Sequence, residues 1–181
     1  MIPPSHTLSA VCLLTFACSD GNPAETSDDT GPTESTEYYE VTAEGLWEGA
    51  WEFTSHMAAR RILQPSESSI HEQFVDLDEG DIHEVTLDID LDTSTFTLTY
   101  EDGSYEGTGV LHGDAWDWHA WESTSIAPDG SSVVSEDTRD ENGIVADKTG
   151  YDADGQEQWT MSEVLVPVTE EQWEALQEQS E

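Results

Sequence analysis

Histidines and carboxylates are the side chains of this chain best suited to acid–base or metal chemistry, and six histidines occur in 181 residues. Their spacing matches no zinc motif: His71 and His83 are each followed by a glutamate, but the second histidine of a His-Glu-x-x-His motif is missing. The sequence also contains no Gly-x-Ser-x-Gly elbow, no P-loop and no dinucleotide fingerprint. We therefore assign no catalytic residue, no metal ligand and no cofactor. A hydrolase with an active site built from the many carboxylates stays open as an alternative.

Three alternating aspartates, Asp88, Asp90 and Asp92, have the spacing with which a calcium-binding loop begins. Such a loop also needs a glycine near its sixth position and a later glutamate, whereas Ser94 and Thr95 follow here. Apolar residues alternate with the aspartates, as on a strand with one buried face. We interpret the aspartates as the solvated face of that strand.

Charge is the strongest compositional signal, because 41 acidic residues stand against only 4 lysines and arginines, giving a formal net charge of −37. Such a surface repels nucleic acid and anionic membranes, so neither is an expected partner. The composition is typical of proteins adapted to salt, where screening relieves the self-repulsion. This halophilic interpretation predicts a loss of stability on dilution into low salt.

Turn signals divide the chain from Gly45 to about Val168 into short alternating segments, at a spacing of roughly 8–12 residues. The signals are Asp92-Thr93-Ser94, Asp102-Gly103, Gly113-Asp114, Pro128-Asp129-Gly130, Asn142-Gly143 and Asp154-Gly155. The pattern predicts an all-β fold, an antiparallel up-and-down meander of about eight to ten strands that closes into a barrel or sandwich.

The first hairpins predict a continuous inner face of apolar residues. With a turn at Asp102-Gly103, the pairs on this face are Tyr100 with Tyr105, Leu98 with Gly107 and Phe96 with Gly109. With a turn at Gly113-Asp114, they are Leu111 with Trp116, Gly109 with Trp118 and Gly107 with Ala120. This register leaves His119 and Trp121 on the outer face.

The later hairpins place two of the four basic residues. A turn at Asn142-Gly143 pairs Asp137 with Lys148 and Arg139 with Ala146; a turn at Asp154-Gly155 pairs Gly150 with Trp159 and Lys148 with Met161. Two interpretations follow. Lys148 and Arg139 hold a ligand carboxylate or phosphate inside the sheet, or Asp137 and Lys148 form a cross-strand pair of little consequence. We favour the second.

The carboxyl end predicts a short helix. Thr169 and Gln172 have the spacing of a capping box, and Pro167 ends the preceding strand. Trp173 and Leu176 then form the inner stripe of a helix that reaches about Gln179 and packs on the outside of the sheet.

The amino end has the features of an export signal. The apolar run from Leu8 to Ala17, about ten residues, suits a signal peptide and is too short to span a bilayer. The segment from Thr15 to Asp20 resembles a bacterial lipoprotein cleavage box. That resemblance implies a signal peptide over 1–17, lipidation of Cys18 and an outer-membrane or cell-surface location. The alternative is a secreted protein with a free Cys18. Residues 18–40 are predicted to be a disordered acidic linker, followed by the β-domain at 41–181.

A first strand containing Gly-x-Trp twice, in the segment Gly45 to Phe53, resembles the lipocalin or calycin superfamily when a meander and a terminal helix follow it. The resemblance implies an eight-stranded barrel with Trp47 or Trp51 as the plug at one end. It also implies that a late basic residue, Arg139 or Lys148, lies across that plug. A small apolar or amphipathic molecule is then the expected partner, bound inside the barrel.

The candidate ligand-binding residues are those of the predicted inner face with the two cations: Phe96, Leu98, Tyr100, Tyr105, Leu111, Trp116, Trp118, Arg139 and Lys148. The alternative is that these rings simply fill the core. Another alternative is a cell-surface module for carbohydrate or protein, because the chain has seven tryptophans and the register turns Trp121 outward.

Overall fold

The computed structural model describes residues 34–47, 51–54, 58–76 and 82–178. By its contacts the chain divides into a unit of residues Met1–Thr30 and a unit of residues Gly31–Glu181, and all described residues belong to the second. The predicted signal peptide, Cys18 and most of the predicted linker therefore lie outside the described residues. Strand β1 begins at Ser35, so residues 35–40 of the predicted linker belong to a strand.

The described residues form eleven strands and one helix. In chain order the strands are β1 Ser35–Trp47, β2 Trp51–Thr54, β3 Ala58–Ser66, β4 Ser69–Asp76, β5 Ile82–Asp90, β6 Thr95–Tyr100, β7 Glu106–His112, β8 Ala120–Ile126, β9 Ser132–Asp140, β10 Gly143–Tyr151 and β11 Glu157–Val168. The helix, α1, spans Glu170–Gln177.

Strand β1 closes the sheet into a barrel. Neighbours along the chain pair antiparallel from β3 to β11, and β1 pairs with both β3 and β11. Strand β2 pairs with the end of β1, on the side where β3 pairs with its beginning. The result is a closed ring of ten strands, which confirms the predicted all-β meander. The resemblance implied eight strands, and that number is wrong.

The sequence of strand β3 lacks the usual signal of a strand. The inward side chains of β3 are Arg60, Ile62 and Gln64, all buried. Two of these three residues are polar, so β3 lacks the alternation of apolar and polar residues that indicates a strand.

The register of the β6–β7 hairpin is confirmed, since Leu98 pairs with Gly107 and Phe96 with Gly109. A Cβ at Gly109 would overlap the ring of Phe96, so the glycine is needed for this ring to lie across its strand. The predicted pairing of Gly150 with Trp159 between β10 and β11 is also confirmed.

The predicted register of β7 and β8 is wrong, because Leu111 pairs with Trp121 rather than with Trp116. Residues 113–119 form a loop instead of a tight turn: the Asp114 carboxylate accepts the backbone N–H of Trp116 at 2.8 Å, and Gly113 has a φ of +117°. The shift of an odd number of residues exchanges the two faces of β8. Trp121 is therefore buried on the inner face, at 6% exposure, and the prediction that it faces outward is wrong.

The predicted β9–β10 register is wrong by two residues, because Arg139 pairs with Ile144 and Lys148 with Ser135. The turn lies at Glu141-Asn142, and Gly143, with a φ of +137°, begins β10. A shift of two keeps each side chain on its face, so Lys148 still points inward beside Met161.

Helix α1 packs on the outside of the barrel as predicted. Thr169 and Gln172 make both hydrogen bonds of the capping box. Trp173 is buried against Tyr38 and Val75, with Leu176 partly buried beside it.

Candidate functional site

The barrel encloses a cavity of about 250 Å³ on the side of the β6–β7 turn. Its wall combines aromatic, aliphatic and charged side chains from β3 to β11. They are Arg60, Glu72, Val85, Leu98, Tyr100, Tyr105, Trp121, Ser123, Ser125, Val133, Ser135, Asp137, Lys148, Trp159 and Met161. The volume corresponds to about eight water molecules at roughly 30 Å³ each, so the cavity suits a small ligand.

A buried ion cluster forms one side of this cavity. The Glu163 carboxylate accepts hydrogen bonds from Lys148 Nζ at 2.7 Å and from Arg60 Nη2 at 3.2 Å. Burial raises the pKa of Glu163, but Lys148 and Arg60 outweigh that effect and hold the pKa below its usual value. Glu163 therefore stays ionised and binds both cations of the cavity wall.

Glu72 is the second acidic partner of Arg60, with Oε2 at 3.9 Å from Nη1. Its side chain is 10% exposed and its Oε1 has no hydrogen-bond partner among the described residues. The Nε of Arg60 is also unpartnered there. A buried polar atom without a partner is costly, so these two atoms mark the wall as a place where a ligand or water would be stabilised.

Asp137 lies on β9 within the same wall and is 2% exposed. Ser135 Oγ donates to its Oδ1 at 2.5 Å. Burial raises the pKa of Asp137 to about 6, although Lys148, Ser135 and Arg60 act in the opposite direction. Asp137 is thus a carboxylate that ionises near neutrality inside a cavity, which is typical of functional sites. The predicted Asp137–Lys148 cross-strand pair is wrong, since Lys148 instead bonds to Glu163.

Three of the chain's four basic residues, Arg60, Arg139 and Lys148, lie inside the barrel. The fourth, Arg61, lies outside, with its guanidinium 5.8 Å from the ring of Trp173. The chain has a net charge of −37, so positive charge is scarce, and most of it is paired with carboxylates inside the barrel.

Four aromatic side chains also line the cavity. Tyr100 and Tyr105 lie 5.5 Å apart between ring centroids, and Trp121 and Trp159 contribute to the same wall. Burial and the nearby Glu72 raise the pKa of Tyr100 to about 12, so its hydroxyl stays protonated at neutral pH. These four aromatic side chains therefore carry no charge at neutral pH, and their faces are rich in π-electrons.

The other end of the barrel is packed. Trp118, from the 113–119 loop, is 2% exposed and stacks on Trp121 at 4.3 Å between centroids. The Arg139 guanidinium lies 5.2 Å from the Trp118 ring and donates to Glu37 at 2.5 Å. A tryptophan with a late basic residue across it is the plug arrangement that the resemblance implied, although it implied Trp47 or Trp51 for that role. The side chains of those two residues lie outside the described part of the chain.

The predicted ligand-binding residues separate into two groups. Leu98, Tyr100, Tyr105 and Lys148 line the cavity. Phe96, Leu111 and Trp118 belong to the packed core, and Trp116 lies in the 113–119 loop, where its Nε1 donates to Gln64 O at 3.4 Å. Arg139 bonds to Glu37 and is not a member of the cavity wall, so the structure does not bring it together with Lys148.

Sequence reasoning missed Glu72, Glu163 and Arg60, and it named Asp137 only as a cross-strand partner of Lys148. Composition alone does not distinguish these carboxylates among 41 acidic residues. One usable signal was present at Glu163: the confirmed register of β10 and β11 gives it the same inward parity as Met161 and Leu165.

Within the described ranges, no group of three or more histidine, cysteine, aspartate or glutamate side chains is arranged to hold a metal ion. Helix α1 has eight residues, and no helix in the described part of the chain qualifies as a membrane span. No protein-family model, no curated protein and no solved structure matches this chain. The fold and the cavity together define a closed antiparallel β-barrel with an internal cavity that is lined by charged and aromatic side chains.

Proposed function

We propose that this protein binds a small amphipathic molecule inside its β-barrel, as lipocalin-like barrels do. The observation that carries the proposal is the 250 Å³ cavity, in which aromatic rings face a cluster of buried ionised groups. Burial of a charge is costly unless a partner compensates it. Glu72 Oε1 and Arg60 Nε have no hydrogen-bond partner among the described residues, so a bound ligand could supply one. A ligand with one apolar part and one polar part would pack against the aromatic side chains and bind the charged ones.

The alternative of a surface module with exposed tryptophans has less support. Among the five tryptophans whose side chains the structure describes, none is exposed: Trp118, Trp121 and Trp173 are buried, and Trp116 and Trp159 are half-buried. An indole row for sugar rings or a protein partner needs exposed faces.

Native mass spectrometry of the purified protein tests the proposal, with the expected result of a bound small molecule that denaturation releases. A matched pair of variants locates the site. Ser125→Leu places a larger side chain into the cavity wall, whereas Thr124→Leu adds a similar side chain on the exposed outer face of β8. We expect Ser125→Leu to lose the ligand and Thr124→Leu to keep it. Ser123→Val, a smaller insertion on the inner face, provides a second test if Ser125→Leu does not fold.

A ligand that remains bound in folded Ser125→Leu and Ser123→Val would contradict the proposal. Acrylamide quenching gives an independent measurement, because the tryptophans of the cavity wall, Trp121 and Trp159, should become more accessible when the ligand is removed.

Export behind a signal peptide, with a lipid on Cys18, remains part of the proposal. The residues that support it are the apolar run Leu8 to Ala17 and the cysteine that follows. Mass spectrometry of the mature amino terminus tests it: an intact Met1 in the envelope fraction, or an unmodified Cys18, would contradict the lipid anchor.

A further inference from the structure

We infer that the ligand of this cavity is a small organic cation, an amine that is protonated at neutral pH and carries an aromatic or aliphatic group. The inference rests on the proposed function and names its ligand class. Three independent features carry it: the charge balance of the wall, the unpartnered Glu72 oxygen, and the aromatic side of the cavity.

The ion cluster has one negative charge more than it has positive charges. Arg60 and Lys148 are the cations, and Glu72, Asp137 and Glu163 are the carboxylates. Both cations contact Glu163, and Arg60 lies between Glu163 and Glu72. An incoming anion would add a further negative charge to a cluster in which carboxylates already outnumber cations, and Arg60 Nε is the one donor of these two cations that the structure leaves unpartnered among the described residues. An incoming cation completes the balance.

The additional negative charge is shared by Glu72 and Asp137. Arg60 lies 3.9 Å from Oε2 of Glu72, whereas Oε1 of Glu72 is buried with no hydrogen-bond partner among the described residues. Asp137 accepts a hydrogen bond from Ser135, which is a neutral donor. An ammonium group offers up to three N–H donors. Bound between these carboxylates, it would satisfy the open acceptor of Glu72 and neutralise the additional charge of Asp137.

The rest of the wall suits the remainder of such a molecule. Tyr100, Tyr105, Trp121 and Trp159 line the same cavity as the charged groups. Aromatic faces attract cations electrostatically, and they pack against apolar groups. The net charge of −37 also raises the local concentration of cations around the barrel and lowers that of anions.

The test compares three probes that share a phenyl ring and a two-carbon chain and differ in the polar end: phenethylamine, phenethyl alcohol and phenylacetate. Each is titrated calorimetrically into the full-length, ligand-free protein at about pH 7 and about 1 M NaCl, where the Debye length of roughly 3 Å removes most surface attraction. We expect phenethylamine to bind at least about tenfold more tightly than the alcohol, and phenylacetate to bind most weakly.

Two variants remove the proposed acceptors, and one control removes an unrelated charge. Glu72→Gln and Asp137→Asn should each lower the affinity for phenethylamine by about tenfold and change that for phenethyl alcohol by less than about threefold. Asp147→Asn changes the net charge equally from the exposed outer face of β10 and should change neither. Using two acceptor variants keeps the test decisive if one of them does not fold.

The outcomes separate the inference from the function on which it rests. If the alcohol binds as tightly as the amine, or phenylacetate binds most tightly, the cation inference is overturned while binding in the barrel stands. Equal losses in Asp147→Asn and the acceptor variants would show surface attraction and would also overturn it. If none of the three probes binds, the proposed function fails as well.

Discussion

Replacing Asp137 by asparagine should stabilise the ligand-free protein, and the gain should depend on pH. Asparagine keeps the shape of the side chain and an oxygen that accepts the hydrogen bond from Ser135. It removes a charge that is buried at 2% exposure. The substitution therefore removes only the free-energy cost of ionising a buried carboxyl group.

The size of the gain follows from the raised pKa of Asp137. Burial places it at about 6, compared with 3.8 for an unperturbed aspartate. At about 1.4 kcal/mol per pH unit, this difference corresponds to roughly 3 kcal/mol. Because the folded-state pKa is the higher one, the folded protein binds more protons between pH 3.8 and about 6, and its stability falls as the pH rises through that range.

Urea unfolding of the wild type and of Asp137→Asn, at constant ionic strength from about pH 4 to about pH 8, measures this directly. The difference in unfolding free energy should be near zero at the acid end and approach roughly 3 kcal/mol above about pH 6. Asp147→Asn serves as the control, since it reduces the net charge equally from an exposed position. A difference that is independent of pH, or a destabilised Asp137→Asn protein at neutral pH, would refute the assignment of a costly buried charge.

Two further substitutions test the packing and the ion cluster. Glu163→Gln should lower the unfolding free energy by about 3 kcal/mol, because it leaves two buried cations without their shared carboxylate. Urea unfolding measures this loss, and a loss below about 1 kcal/mol would show that the cluster is solvated. Gly109→Ala should destabilise by about 1–3 kcal/mol, because its methyl group overlaps both the ring of Phe96 and the backbone oxygen of Glu122. Combination with Phe96→Leu should recover, in thermal melting, the part of the loss that comes from the ring, and no recovery would show that the contact with Glu122 dominates.

The strand meander could be predicted because its signals are local. Turn residues at regular spacing and the alternation of Val85, Leu87 and Ile89 with polar neighbours are visible without any long-range information. The hairpin register was predicted correctly between β6 and β7, where Phe96 pairs with Gly109, and between β10 and β11, where Gly150 pairs with Trp159. The capping box at Thr169 is equally local, and it was confirmed.

The failure at the β7–β8 connection involves both a local side chain and a contact that is distant in sequence. The Asp114 carboxylate folds the 113–119 loop, and Ala115 N–H donates to Glu67 O, which is far away along the chain, at 3.2 Å. No feature of Gly113-Asp114 alone distinguishes this loop from a tight turn. Because the register of β7 and β8 differs from the predicted one by an odd number of residues, Trp121 lies in the cavity wall and not on the outer face.

The amino-acid sequence alone determined that the domain is an antiparallel β-meander with an acidic surface and a terminal helix, because periodicity, turn chemistry and charge act over a few residues. Only the tertiary structure decided which charges lie inside. Arg60, Glu72, Asp137, Lys148 and Glu163 come from five different strands, and each looks like an ordinary polar position in its own strand. Closure of β1 against β3 and β11 is what brings them together, since burial and pairing of charges depend on neighbours that no local pattern encodes.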